Sequence, residues 1–329
     1  MKRGLALWAG LAVLAHPLFF VIYRLSVFNT VPRDDYAPFL LWLLGKGGGL
    51  PDSPYSYRVL SMVLAAPFYY GLPAIPLSNT PAGLSPEWLR ATAALSMLAF
   101  LAWVASAVLA GAAARRAGLG RLEGEAGGII VFACGAYTQV TAIDPVALAF
   151  IAGGVVVLDR PGAFAALLAA SVLVNEKVAL VLAAWLMIRC ATSGVDRAAL
   201  WRQAGAAVLA VLAYVAVVKG MHLPGNPYQT DPRHVPQTVR DNLVAYASAR
   251  GLLLNVLPAL VATALALAGR PVWPFARRDA LLIPALLGVA LVLTQFFQAG
   301  RIVMHAAPVF AVPAAVGLAR WLRGAETPR

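Results

Sequence analysis

The sequence WLRATAALSMLAFLAWVASAVLAGAA occupies residues 88–113 and contains one charged side chain, Arg90. A helix of this length is long enough to cross the hydrocarbon core of a bilayer, which is about 30 Å thick. The whole chain has the same character, because 61% of its 329 residues are hydrophobic, 12% are charged and the mean hydropathy is +0.77. These values exclude an ordinary soluble globular domain. We therefore predict an all-α polytopic membrane protein.

Apolar segments separated by short charged or Pro/Gly-rich breaks fill the chain. Ten can be placed, at residues 5–27, 88–113, 127–142, 145–158, 161–175, 178–190, 204–220, 251–269, 280–298 and 302–322. The sequence thus predicts one membrane-embedded domain, residues 1–329, with about ten transmembrane helices. The four segments between 127 and 190 are short for full crossings and could instead be two buried hairpins. The sidedness of the other segments is the same in both cases.

The basic residues indicate the topology. The net charge of +12 does not point to nucleic acid, because these residues stand singly or in pairs at the ends of apolar segments. With Lys2 in the cytoplasm, the pairs Arg115-Arg116 and Arg277-Arg278 also lie inside, as the positive-inside rule requires. We expect a multi-pass protein of a bacterial inner membrane with both termini in the cytoplasm. The first apolar segment has no cleavage pattern and is interpreted as a membrane helix.

One further apolar stretch, residues 59–77, is excluded from the spans. Counting it would put both arginine pairs outside, and four residues in it favour helix breaks: Pro67, Gly71, Pro73 and Pro76. It is predicted to be a re-entrant or interfacial part of a long first external loop, residues 28–87. A second external loop covers residues 221–250. Long loops on one side of a membrane favour a functional site on that side.

The first external loop begins with the sequence NTVPRDDY, residues 29–36, in which Asp34 and Asp35 follow the first predicted helix. A carboxylate near the membrane surface can act as a general base. The alternatives are that one of them caps a short helical run at residues 39–44, or that both are solvated. The position of Asp34 closer to the first helix slightly favours it over Asp35.

Several polar residues interrupt the apolar sequence on the same predicted side. Tyr57 and Arg58 stand at the start of the stretch 59–77, where a charge needs water, a partner or an anionic ligand, although snorkelling to the headgroups is the commoner case. Asp144 lies in a tight turn. The triplet Asn175-Glu176-Lys177 either forms a solvated turn or lines a polar cavity in which the lysine meets an anion.

The last apolar segment opens with Arg301 and, one helical turn later, His305. On a helix these two side chains share a face. A guanidinium and an imidazole side by side at the membrane boundary suit a phosphate or pyrophosphate leaving group, and interfacial anchoring is the alternative. Cys134 and Cys190 have no partners at ligand spacing, so no metal site is evident from the sequence. A divalent metal is possible, but the spacing does not support one.

This layout resembles the membrane-embedded glycosyltransferases of the GT-C superfamily. Members of that superfamily use lipid-phosphate-linked sugars, have many membrane helices, and carry an essential acidic residue in the first external loop, where Asp34-Asp35 stands here. The Asn175-Glu176-Lys177 triplet is similar to polar triplets in bacterial relatives. The resemblance covers essentially the whole chain, but its motifs are short. The acidic pair is not spaced Asp-x-Asp and no soluble domain follows the helices.

The resemblance implies an inverting transfer from a polyprenyl-phosphate-linked sugar to an acceptor hydroxyl at the outer face of the membrane, with the acceptor unassigned. Asp34 or Asp35 would be the base. The cations expected to hold the departing phosphate are Arg58, Lys177 and Arg301, together with His305. The residues expected to line the substrate pocket are Tyr36, Tyr57, Asp144, Asn175 and Glu176.

Two other classes of protein fit part of the pattern. A transporter or flippase of a lipid-linked or anionic substrate would also have about ten spans, broken helices and buried charges. It would be expected to show matching halves and charges near the bilayer midplane, whereas no repeat is seen and the charges gather toward one surface. A non-catalytic membrane subunit that holds a partner through its outer loops is the third reading.

Overall fold

The computed structural model describes residues 36–49, 58–74, 85–136, 143–192, 235–269, 277–293 and 299–325, together with positions 201, 205, 208, 209, 212, 272 and 275. In these residues the regular structure is helical, apart from an isolated antiparallel bridge between Val272 and Phe275. The predicted all-α fold class is confirmed. Asp34, Asp35, Tyr57 and the first predicted apolar segment lie outside the described residues, as does most of segment 204–220.

Twelve helices make up most of the described part of the chain. They are α1 (Tyr36–Leu43), α2 (Val59–Gly71), α3 (Pro86–Arg116), α4 (Arg121–Gly135), α5 (Asp144–Val156), α6 (Pro161–Val172), α7 (Glu176–Thr192), α8 (Val235–Ala247), α9 (Ala249–Ala268), α10 (Leu282–Leu293), α11 (Ala299–Met304) and α12 (Ala307–Ala325). A π-helical turn, Leu252–Val256, lies within α9, and a 3₁₀ turn, Arg277–Leu281, precedes α10. Eight of the ten predicted apolar segments therefore coincide with helices.

Helix α3 is the longest helix in the described residues, and α1, α2, α4 and α5 pack against it. Its start is well defined, because Ser85 Oγ accepts a hydrogen bond from the Trp88 N–H at 3.1 Å and Pro86 occupies the first helical position. Farther along, the indole of Trp103 stacks on Phe132 of α4 with 4.0 Å between ring centroids. Through its packing on α5, helix α3 lies beside the helix that begins with Asp144.

Helix α2 corrects one expectation from the sequence. It continues through Pro67 and ends at Gly71, so the predicted break at Pro67 is wrong. Pro67 removes the N–H that would bond the Val63 carbonyl, so the helix continues with one backbone hydrogen bond fewer. With 13 residues, α2 is about 20 Å long, which is shorter than the hydrocarbon core.

Two helices of the described residues, α3 and α9, are long and apolar enough to cross a membrane by length and composition. Both present exposed apolar stripes, with Met97, Leu101 and Val108 on α3 and Leu253, Leu260 and Leu267 on α9. Stripes of this kind are uncommon on soluble monomers. Helices α2, α5 and α6 are shorter apolar helices, and the count of about ten spans stays a prediction.

Candidate functional site

A buried ionic cluster forms where three helices begin. Asp144, the first residue of α5, is fully buried. Its Oδ1 lies 2.7 Å from Lys177 Nζ in the first turn of α7, and its Oδ2 lies 3.0 Å from Arg301 Nη1 in α11. The cluster therefore brings together residues that are far apart in the sequence. A buried carboxylate of this kind needs charged or hydrogen-bonding partners, and it has both here.

Asn175 explains how Lys177 comes to point at Asp144. The Asn175 side-chain oxygen accepts a hydrogen bond from the Lys177 backbone N–H at 3.1 Å, which is the usual geometry of a helix N-cap. Its side-chain amide donates to Asp144 Oδ1 at 3.3 Å. One amide group thus starts α7 and contacts the carboxylate. A lysine at a helix N-terminus is unfavourable to the helix dipole, and the adjacent carboxylate offsets this.

Gly300 fixes the position of Arg301. A Cβ at residue 300 would collide with the backbone carbonyl of Leu254 in the π-helical turn of α9, so only glycine allows this approach. The Gly300 N–H also donates to the buried Asn255 side chain at 3.3 Å. The first turn of α11 therefore packs against α9, and Arg301 comes directly after Gly300.

His305 lies at the interruption between α11 and α12. Pro308 cannot donate the N–H that would bond the Met304 carbonyl, which accounts for the break. The His305 Nδ1–H donates to the Arg301 carbonyl at 2.7 Å, because a carbonyl can only accept. Its Nε2 lies 3.8 Å from Asp144 Oδ1, too far for a hydrogen bond, and has no hydrogen-bond partner in the described part of the chain.

Tyr36 and Arg58 form a second buried contact. Arg58 Nη1 donates to the Tyr36 hydroxyl at 2.5 Å and joins the start of α1 to the start of α2. The Leu60 N–H donates to the Leu173 carbonyl at 2.9 Å. Because Leu173 lies two residues before Asn175, Arg58 stands at the same end of the helices as the ionic cluster.

The structure thus brings together five of the predicted site residues: Asp144, Asn175, Lys177, Arg301 and His305. Tyr36 and Arg58 are paired nearby. Glu176 begins α7, but its side chain lies outside the described part of the structure, as do Asp34, Asp35 and Tyr57. Sequence reasoning missed Asn255 and Gly300, the two residues that position Arg301. A polar residue inside the apolar segment 251–269 was the available signal for Asn255.

The opposite end of α5 has a different character. Arg116 and Asp159 form an exposed ion pair there, with Arg116 Nη2 2.8 Å from Asp159 Oδ2. A surface cavity of about 400 Å³ lies beside them and is also lined by Phe275. It shares no residue with the ionic cluster. In the described residues no group of three or more His, Cys, Asp or Glu side chains is arranged to hold a metal ion.

Comparisons with known proteins do not assign this chain to a family. No family model matches the chain. No curated protein and no solved structure matches it significantly.

Proposed function

We propose that this protein is a GT-C-type membrane glycosyltransferase that moves a sugar from a polyprenyl-phosphate donor to an acceptor hydroxyl at the outer face of the inner membrane. The observation that carries the proposal is the convergence of Lys177 and Arg301 on one buried point where several helices begin. Charges buried at a membrane boundary are costly and are characteristic of functional sites.

The two cations suit one phosphate group. Both contact a single carboxylate within 3.0 Å, and a phosphate resembles a carboxylate in offering neighbouring oxygens to paired donors. About a tenth of each cation's side chain is exposed, 10% for Lys177 and 9% for Arg301, which leaves a small face for a ligand. There they would stabilise the negative charge that builds on the departing phosphate.

The base in this mechanism is Asp34 or Asp35. These residues directly precede Tyr36, whose hydroxyl accepts the hydrogen bond from Arg58 at the same end of the bundle. The carboxylate takes the proton of the acceptor hydroxyl, and the oxygen of that hydroxyl attacks the anomeric carbon. The bond from that carbon to the phosphate oxygen breaks, and its electron pair leaves with the polyprenyl phosphate. A single displacement inverts the anomeric centre.

The proposed topology has about ten spans, with the ionic cluster toward the outer face. Support comes from the arginines at the other end of the helices, since Arg115, Arg116, Arg277 and Arg278 are all exposed. An exposed basic rim fits the cytoplasmic side of a membrane. The apolar stripes of α3 and α9 fit contact with lipid. In such an arrangement a donor could place its phosphate near the headgroups and its isoprenoid tail among the helices, which lowers the entropic cost of bringing the substrates together.

One observation favours a second candidate, a transporter or flippase of an anionic substrate. The interruption at His305 between α11 and α12, beside a buried ion cluster, is a feature of transporters with broken helices. Sealed proteoliposomes discriminate the two, because a transporter would move a labelled polyprenyl-phosphate sugar between leaflets without cleaving it.

The direct test incubates the purified protein with radiolabelled polyprenyl-phosphate sugars and a panel of acceptors. We expect sugar transfer, or slow donor hydrolysis, that is lost in either Asp34→Asn or Asp35→Asn. Asp159→Asn is the matched control, because it removes an exposed carboxylate at the opposite end of α5 and should retain full activity. Equal activity in wild type and in both loop variants would overturn the assignment of the base.

A further inference from the structure

Asp144 is fully enclosed within the ionic cluster. Its side chain has 0% exposure, and its two oxygens contact cations from different helices, Oδ1 with Lys177 and Oδ2 with Arg301. A group with no exposed surface does not touch a substrate directly. Any effect of Asp144 on a ligand must therefore pass through the side chains that it contacts, among which Lys177 and Arg301 are the cations.

We propose that Asp144 is a positioning residue that holds Lys177 and Arg301 side by side as a ready pair for one phosphate. The inference rests on the proposed function, because it concerns the same site. Neither Lys177 nor Arg301 can hold the pair of cations together alone. The lysine has a flexible four-carbon stem, and holding its ammonium in place before the ligand arrives reduces the entropy that binding must overcome.

Charge gives the sign of the expected effect. Two cations held close to one point repel each other unless an anion lies between them, and the repulsion is strong in a buried site. Asp144 supplies that anion. Without it, we expect Lys177 and Arg301 to separate, so phosphate affinity should fall. The opposing idea, that the carboxylate occupies the phosphate position and competes for it, predicts a rise in affinity.

The test measures binding of farnesyl phosphate to the purified full chain in detergent micelles by titration calorimetry, with farnesol as the uncharged control. Wild type should bind farnesyl phosphate at least about tenfold more tightly than farnesol. Asp144→Asn should weaken farnesyl phosphate binding by about tenfold or more. Farnesol binding should stay unchanged, whereas a general loss of structure would weaken both ligands together.

A second background tests whether Asp144 acts through its partner. In Lys177→Met the pair no longer exists, so adding Asp144→Asn should weaken farnesyl phosphate binding by less than about threefold. Where Asp144→Asn does not fold, Asn175→Ser replaces it, because serine keeps a capping oxygen for α7 and removes the amide donor to Asp144. This variant should bind farnesyl phosphate about threefold less tightly than wild type.

The outcomes separate the inference from the function on which it rests. If wild type does not prefer farnesyl phosphate to farnesol, the phosphate site itself is wrong. If wild type shows the preference while Asp144→Asn, or Asn175→Ser in its place, binds farnesyl phosphate equally or more tightly, the positioning role alone is overturned.

Discussion

The ammonium of Lys177 lies 2.7 Å from Oδ1 of Asp144, and this contact joins the first turn of α7 to the first residue of α5. Each helix places its charge at its N-terminus, where the dipole favours the carboxylate and disfavours the ammonium. The pair therefore joins two helix starts, and the carboxylate of Asp144 compensates the unfavourable position of the Lys177 ammonium. Its burial distinguishes it from the exposed pair of Arg116 and Asp159 at the other end of α5.

Breaking the buried pair should be costly. Lys177→Met removes one of the two cations that contact Asp144 and leaves Arg301 paired with it, so we expect a loss of about 1–3 kcal/mol in the free energy of unfolding in mixed micelles. Asp144→Asn combined with Lys177→Met leaves the Arg301 guanidinium buried without this carboxylate, so the double variant should lose about 3–5 kcal/mol more, the cost of an uncompensated buried charge.

The exposed pair provides the control for this cycle. Asp159→Asn separates an ion pair whose side chains are 35% and 56% exposed, so its effect should stay below about 1 kcal/mol. Equal losses from Lys177→Met and Asp159→Asn would contradict the view that the cluster at Asp144 is enclosed.

Most helices could be predicted from the sequence because long apolar runs bounded by charges leave few alternatives. Eight predicted segments became helices, and the few charged or polar residues inside them were recognisable as site candidates. The pairing of Asp144 with Lys177 and Arg301 could not be predicted, since it depends on how three helix starts pack. Pro67 also misled sequence reasoning, because a helix can continue past a proline at the loss of one backbone hydrogen bond.

The cap of α7 gives a second prediction. Asn175→Ala removes the acceptor for the Lys177 N–H and the amide that contacts Asp144, and should lower stability by about 1–2 kcal/mol. Ser85→Ala removes a comparable cap from α3, far from the cluster, and should cost about 1 kcal/mol. Thermal unfolding measures both, and farnesyl phosphate affinity should fall in the Asn175 variant alone. A matching fall in the Ser85 variant would indicate a general effect of helix fraying.

The close approach at Gly300 gives a third prediction. Gly300→Ala drives a methyl group into the Leu254 carbonyl, so α11 must shift, at a cost of about 1–3 kcal/mol. Because Arg301 follows directly, the variant should also lose farnesyl phosphate affinity. Gly288→Ala in α10 is the control, since a Cβ there meets nothing within 4 Å and alanine favours the helix by about 0.5–1 kcal/mol. If Gly300→Ala keeps wild-type stability and affinity, α11 does not approach the Leu254 carbonyl of α9 this closely.

Removing the hydrogen bond from Arg58 to the Tyr36 hydroxyl tests whether α1 and α2 belong to the site. Tyr36→Phe keeps the ring of this buried residue and removes the acceptor, which should cost about 1.5–3 kcal/mol because the donor is charged. Since Asp34 and Asp35, the proposed bases, immediately precede Tyr36, the turnover rate of the proposed sugar transfer should fall more than donor binding does. Tyr70→Phe, at a tyrosine that is 60% exposed, should change neither stability nor turnover. If Tyr36→Phe is destabilised but turns over normally, this contact stabilises the fold and does not position the acidic pair.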